Sequence, residues 1–168
     1  MGLDITAYEK LERIHAPTNY WCEEHEEEVQ LYNLSEFHEQ AAPSLEGDHA
    51  DDYVRYGCFK SVELKFGFRA GSYTGYNEWR ERLCRVALNM STRQLWDHPK
   101  EGPFVELLHF PDNEGVIETS VCAKLSKDFV DHRERISKLA EDTWFMEKYD
   151  CWARAFKLAS VSGAVELH

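Results

Sequence analysis

From Ile14 to Val54 the chain contains no lysine and no arginine. It also has no apolar run near the roughly 18 residues that a membrane span needs. The opening Met-Gly-Leu-Asp-Ile lacks the basic and then apolar regions of a secretory leader, and no polybasic anchor follows Gly2. The expected compartment is therefore the cytosol, with no membrane association. No two of the five cysteines (Cys22, Cys58, Cys84, Cys122 and Cys151) form a CxxC pair, and their number is odd. Thiols are expected rather than disulfides. No Gly-Lys-Ser/Thr phosphate loop, dinucleotide glycine pattern, HExxH, EF-hand loop or nucleophile elbow is present. Those absences leave no ready-made catalytic set, and no cofactor or metal is expected.

What is present is a folded composition. The 168 residues are 43% hydrophobic, 13% aromatic and 30% charged, which suits a single domain over 1–168 with a core of its own. The charge is segregated. Glu23, Glu24, Glu26, Glu27, Glu28, Glu36, Glu39, Glu46, Asp48, Asp51 and Asp52 are 11 acids in the base-free stretch. The remainder has 31 − 11 = 20 acids against 19 bases, so −11 of the net −12 comes from that stretch. It reads as an acidic insertion or loop region at about 20–52. Either it is a solvated surface, or it runs from Glu23 to Asp52 as a patch that attracts a basic protein or metal cations. Direct nucleic-acid binding is not expected, because phosphates would be repelled.

Periodicity predicts an α+β fold, a single-layer mixed or antiparallel sheet with about three helices packed on it. Strands are expected at Leu3 to Tyr8, Tyr53 to Phe59, Ser61 to Phe68 and Phe104 to Phe110. A short strand is expected around Val29, Leu31 and Leu34, and an edge strand at Val165 to Leu167. Helices are expected over Tyr76 to Leu88, capped by Asn77 or Thr74, and over Val121 to Leu139, capped by Thr119 or Ser120. The third runs from Phe145 to Ala159, with Gly163 as the glycine that ends it. Trp79, Leu83, Phe104, Leu107, Leu125, Phe129, Trp152 and Phe156 should be buried.

Two segments carry candidate chemistry. Gly-rich residues directly before a helix expose unpaired backbone N–H groups to an anion. Arg69, Gly71, Ser72, Tyr73, Gly75, Tyr76, Asn77 and Arg80 fit that pattern. The guanidinium groups would clamp a phosphate or carboxylate, and the tyrosines would cover a ring. The same residues would also make an ordinary tight strand-to-helix connection. His109, Asp112 and Glu114 form a second, weaker group that could bind a divalent cation or do acid–base work, or simply make a turn. Cys22 and His25 have a zinc-like spacing without a second pair. Asp97-His98 before Pro99 reads as a helix end.

The start Met1 to Tyr8, the central Phe68 to Arg80, the blocks Gly102 to Leu107, Asn113 to Gly115 and Val121 to Leu125, and the ending Gly163-Ala-Val together resemble a family of small uncharacterised phage, prophage and bacterial proteins. The acidic stretch lies outside that resemblance. It implies a phage or prophage origin and brings no activity and no functional residue. The expectation is a phage-type accessory protein that binds a host protein or a small anionic ligand. The alternatives are a small enzyme acting on a nucleotide or phosphorylated substrate, and a phage structural or assembly component.

Overall fold

A computed structural model describes residues 2–15, 30–33, 56–61, 65–110, 112, 115–140 and 142–168. Strand β1 (Gly2–Tyr8) alternates Leu3, Ile5 and Ala7 inward against Asp4 and Thr6, a half-buried strand pattern. Strands β2 (Leu11–His15), β3 (Gln30–Asn33) and β4 (Tyr56–Ser61) form an antiparallel sheet in the order β2-β4-β3. The rest of the acidic stretch, including Glu23 to Glu28 and the Cys22–His25 pair, lies outside the described residues. β5 (Lys65–Ser72) pairs antiparallel with β1 and runs straight into helix α1 (Tyr73–Leu88).

Helices α2 (Thr92–Asp97) and α3 (Val105–His109) follow, then strand β6 (Gly115–Glu118). Helices α4 (Thr119–Asp131), α5 (Arg133–Ala140) and α6 (Thr143–Ala159) lead to β7 (Ala164–Leu167). The second sheet is antiparallel in the order β5-β1-β7-β6. The architecture is α+β.

The core lies between this sheet and the helices. Trp152 of α6 is its centre, with ring centroids 5.2 Å from Phe68, 5.8 Å from Tyr76, 6.0 Å from Trp79 and 5.5 Å from Phe156. Burying such rings removes the largest apolar areas of the chain from water, and their offset and tilted geometries suit the aromatic quadrupole. All eight side chains expected in the core are buried.

Several expected elements differ. Phe104 to Phe110 is not a strand. Phe104 takes a left-handed conformation at φ 64° and starts the short α3. Every residue from Phe104 to Leu108 is buried, so the run has no exposed face whose period would tell strand from helix. The expected Val121 to Leu139 helix is two helices, because the chain breaks at His132, where no proline or glycine marks it. Its start is capped by neither Thr119 nor Ser120. The N-cap is Glu118, whose side chain makes no capping bond. β7 is an interior strand paired on both sides, not an edge strand. Among the described residues there are six helices where about three were expected, because α2 and α3 are each under two turns and the Val121–Leu139 helix is split in two.

Candidate functional site

The expected helix start lies further N-terminal than Asn77 or Thr74. Ser72 is the N-cap, and its hydroxyl accepts from the Gly75 amide at 3.0 Å. Gly71, at φ 139°, supplies the positive φ that lets β5 turn into α1 without a linker. The helix thus provides an acceptor for one of its own free amides.

The other residues of this group divide. Arg69 is exposed and pairs with Asp4 at 3.3 Å, while its carbonyl accepts from Lys148 at 2.6 Å. Arg80 is buried and faces inward. It donates to the Phe110 carbonyl at 2.6 Å and to Asn77 Oδ1 at 2.5 Å. Its guanidinium also lies 5.2 Å from the Tyr76 ring centroid and 5.3 Å from that of Trp96. Asn77 Nδ2 in turn donates to Asp112 Oδ2 at 2.5 Å and to the Tyr73 carbonyl at 3.0 Å.

Asn77, Arg80 and Tyr76 are therefore brought together with Asp112, and the two segments singled out in the sequence meet in one network. Arg69 is not part of it. Tyr76 is fully buried, and its hydroxyl makes no well-formed hydrogen bond. Burial pushes its pKa up to about 12, with Arg80 opposing and Asp112 adding to the shift. Glu114 lies outside the described residues.

His109 belongs to a different place. It lines an open cavity of about 570 Å³ with Pro99, Lys100, Glu101, Gly102, Val105, Glu106 and Lys124. Glu106 and His109 stand three apart on α3, so one helical face carries both. The Glu106 side chain is only 10% exposed, and its Oε2 meets Lys124 Nζ at 2.5 Å. Lys124 also donates to the Gly102 carbonyl at 2.9 Å and pairs with Asp128 at 2.8 Å. Asp128 accepts the Phe104 amide at 2.9 Å, so the same carboxylate that holds Lys124 holds the left-handed turn that starts α3. Lys100 at the rim makes a long bond to the Leu88 carbonyl at 3.5 Å.

Burial holds the His109 imidazole below its ordinary pKa of 6.5. The Leu95 backbone and Glu106 oppose that shift, and Arg80 adds to it. The ring therefore faces neutral solution uncharged. Its Nε2 is buried without a well-formed hydrogen bond.

Glu106, Lys124 and Asp128 were not singled out in the sequence. The signal was there: a carboxylate and an imidazole three residues apart inside an otherwise apolar run, Phe104 to Phe110. Read as a strand, that run puts residues 106 and 109 on opposite faces, which hid their convergence. No group of three His, Cys, Asp or Glu side chains suited to a metal ion occurs among the described residues. Nor is any helix there long and apolar enough to cross a membrane. Cys84, Cys122 and Cys151 are free thiols, and burial pushes the Cys84 thiol up to about 11, away from reactivity.

No family model, curated protein or solved structure matches the chain.

Proposed function

We propose that the chain acts by binding, and that its ligand is a small polar molecule held in the cavity between the Pro99–Gly102 segment, α3 and α4. The observation that carries this reading is the Glu106 carboxylate, nine-tenths buried in the wall of an open cavity of about 570 Å³. That volume falls within the roughly 300–1,000 Å³ usual for small-molecule sites. A buried carboxylate is costly unless it is paired and hydrogen-bonded, and at a cavity wall a ligand can complete its bonding. The helix start at Ser72 is less suited to a ligand, because Ser72 caps it and Arg80 is turned inward. An accessory role of this kind agrees with the phage resemblance of the sequence.

A thermal-shift screen of fragment-sized molecules tests the reading. A ligand at about 100 times its Kd stabilises the fold by roughly 2.7 kcal/mol, a shift of several degrees at this chain length. Val105→Phe should fill the cavity from its wall and cancel the shifts. Absence of any stabilising compound, or shifts of equal size in Val105→Phe, would contradict the proposal.

A further inference from the structure

The cavity wall also constrains the charge of what it holds. Lys124 has three N–H donors, and the structure gives them three acceptors: the Gly102 carbonyl, Glu106 and Asp128. Its ammonium has nothing left to offer an anion. Glu106 is in the opposite position. Its Oε2 is engaged by Lys124, and among the described residues Oε1 has no hydrogen-bond partner. A carboxylate oxygen has two lone pairs, so the buried part of the wall presents an acceptor, while the spare donors of Lys100 lie at the exposed rim.

In the lining itself Glu101 and Glu106 balance Lys100 and Lys124, 2 − 2 = 0, and Asp128, outside the lining, is the second carboxylate paired with Lys124. His109 adds no positive charge at neutral pH, since burial disfavours its charged form. Lys100 is at the exposed rim, where water screens it, while Glu106 is in the wall, where its field is stronger. The absence of a third suitable ligand among the described residues argues for an organic cation over a metal ion.

We infer that the ligand of this cavity is an organic amine whose protonated nitrogen donates to Glu106 Oε1, its carbon skeleton lying against Val105 and Pro99. This inference rests on the cavity being the binding site. A charge-assisted N–H···O bond to a partly buried carboxylate is stronger than the bond a hydroxyl would make there, and a ligand carboxylate would be repelled. This ligand differs in charge from the anionic one expected from the sequence.

The test uses three molecules of one skeleton: benzylamine, benzyl alcohol and benzoate. Each is titrated into the 15N-labelled chain while the amide signals of Gly102, Val105 and Lys124 are followed. Benzylamine should bind about tenfold more tightly than benzyl alcohol, and benzoate should not saturate. Glu106→Gln should bring benzylamine and benzyl alcohol within about twofold of each other, in a variant whose spectrum shows the fold intact. If Glu106→Gln does not fold, the wild-type ranking alone decides. Equal binding of all three, or preference for benzoate, overturns the inference and leaves the cavity reading standing. If none of the three moves these signals the inference also falls, and the fragment screen above decides whether the cavity reading falls with it.

Discussion

Arg80 distinguishes a binding residue from a structural one, and Arg80→Met measures the difference. Methionine keeps the length and much of the apolar stem but removes every donor. The substitution deletes two charge-assisted bonds, to the Phe110 carbonyl at 2.6 Å and to Asn77 Oδ1 at 2.5 Å. Each such bond contributes about 1.5–3 kcal/mol, before the gain from no longer burying a charge. The guanidinium also leaves the faces of Tyr76 and Trp96, at about 0.5–2 kcal/mol each. The Phe110 carbonyl and Asn77 Oδ1 each lose a buried donor, at about 1–3 kcal/mol apiece, so a net loss of about 2–6 kcal/mol is expected. At roughly 2–4 °C per kcal/mol for a chain of this size, melting should fall by about 10 °C. Urea unfolding followed by tryptophan fluorescence gives the free energy directly. A loss under about 1 kcal/mol would refute the reasoning, because a guanidinium that holds so little together is free to serve a ligand.

Two further outcomes follow from named contacts. A Cβ on Gly163 would stand 1.9 Å from the Tyr8 carbonyl oxygen and 2.9 Å from the Ala159 Cα, both backbone atoms. Gly163→Ala must therefore force β1 from α6, and urea unfolding should show a loss of about 3 kcal/mol or more; a loss under about 1 kcal/mol would contradict this packing. His109 has a folded pKa below its unfolded value of 6.5 because of burial. Below 6.5 the unfolded chain takes up the proton first. Stability should therefore fall as pH drops from 6.5 through the folded value, and little of this loss should occur above 7. His109→Phe should show a shallower decline of the urea midpoint between pH 7 and 5, and an unchanged slope would count against a buried neutral imidazole.

How much of this was legible in the sequence depended on periodicity. β1, α1 and α6 have one exposed and one buried face, so Leu3 and Ile5, Trp79 and Leu83, and Trp152 and Phe156 announced their spacing and their burial. The Phe104–Leu108 run has no exposed face, and its conformation is set by contacts the sequence does not display: the Asp128 carboxylate on the Phe104 amide, 24 residues away. The break at His132 has no local marker either. Gly163 illustrates a right residue with a wrong reason. It is needed for close approach to Tyr8 and Ala159, not for a positive φ, and the left-handed residue beside it is Ser162 at 50°.

The candidate site followed the same division. The Gly-rich segment was visible because glycines and a helix start are local signals. Its buried network with Asp112 was not, because Asn77 and Asp112 are 35 residues apart. The cavity was hidden further, since Glu106 and Lys124 meet only once α3 is a helix.

Mapping where a ligand perturbs the backbone is the most direct test of the central claim. In a 15N–1H titration with benzylamine, the amides of Gly102, Val105, Glu106, His109 and Lys124 should shift together with a single dissociation constant. The amides of Ser72, Gly75 and Asn77 at the start of α1 should stay in place. Shifts centred on Ser72, Gly75 and Asn77, with the cavity amides unmoved, would contradict the account and return the site to the helix start.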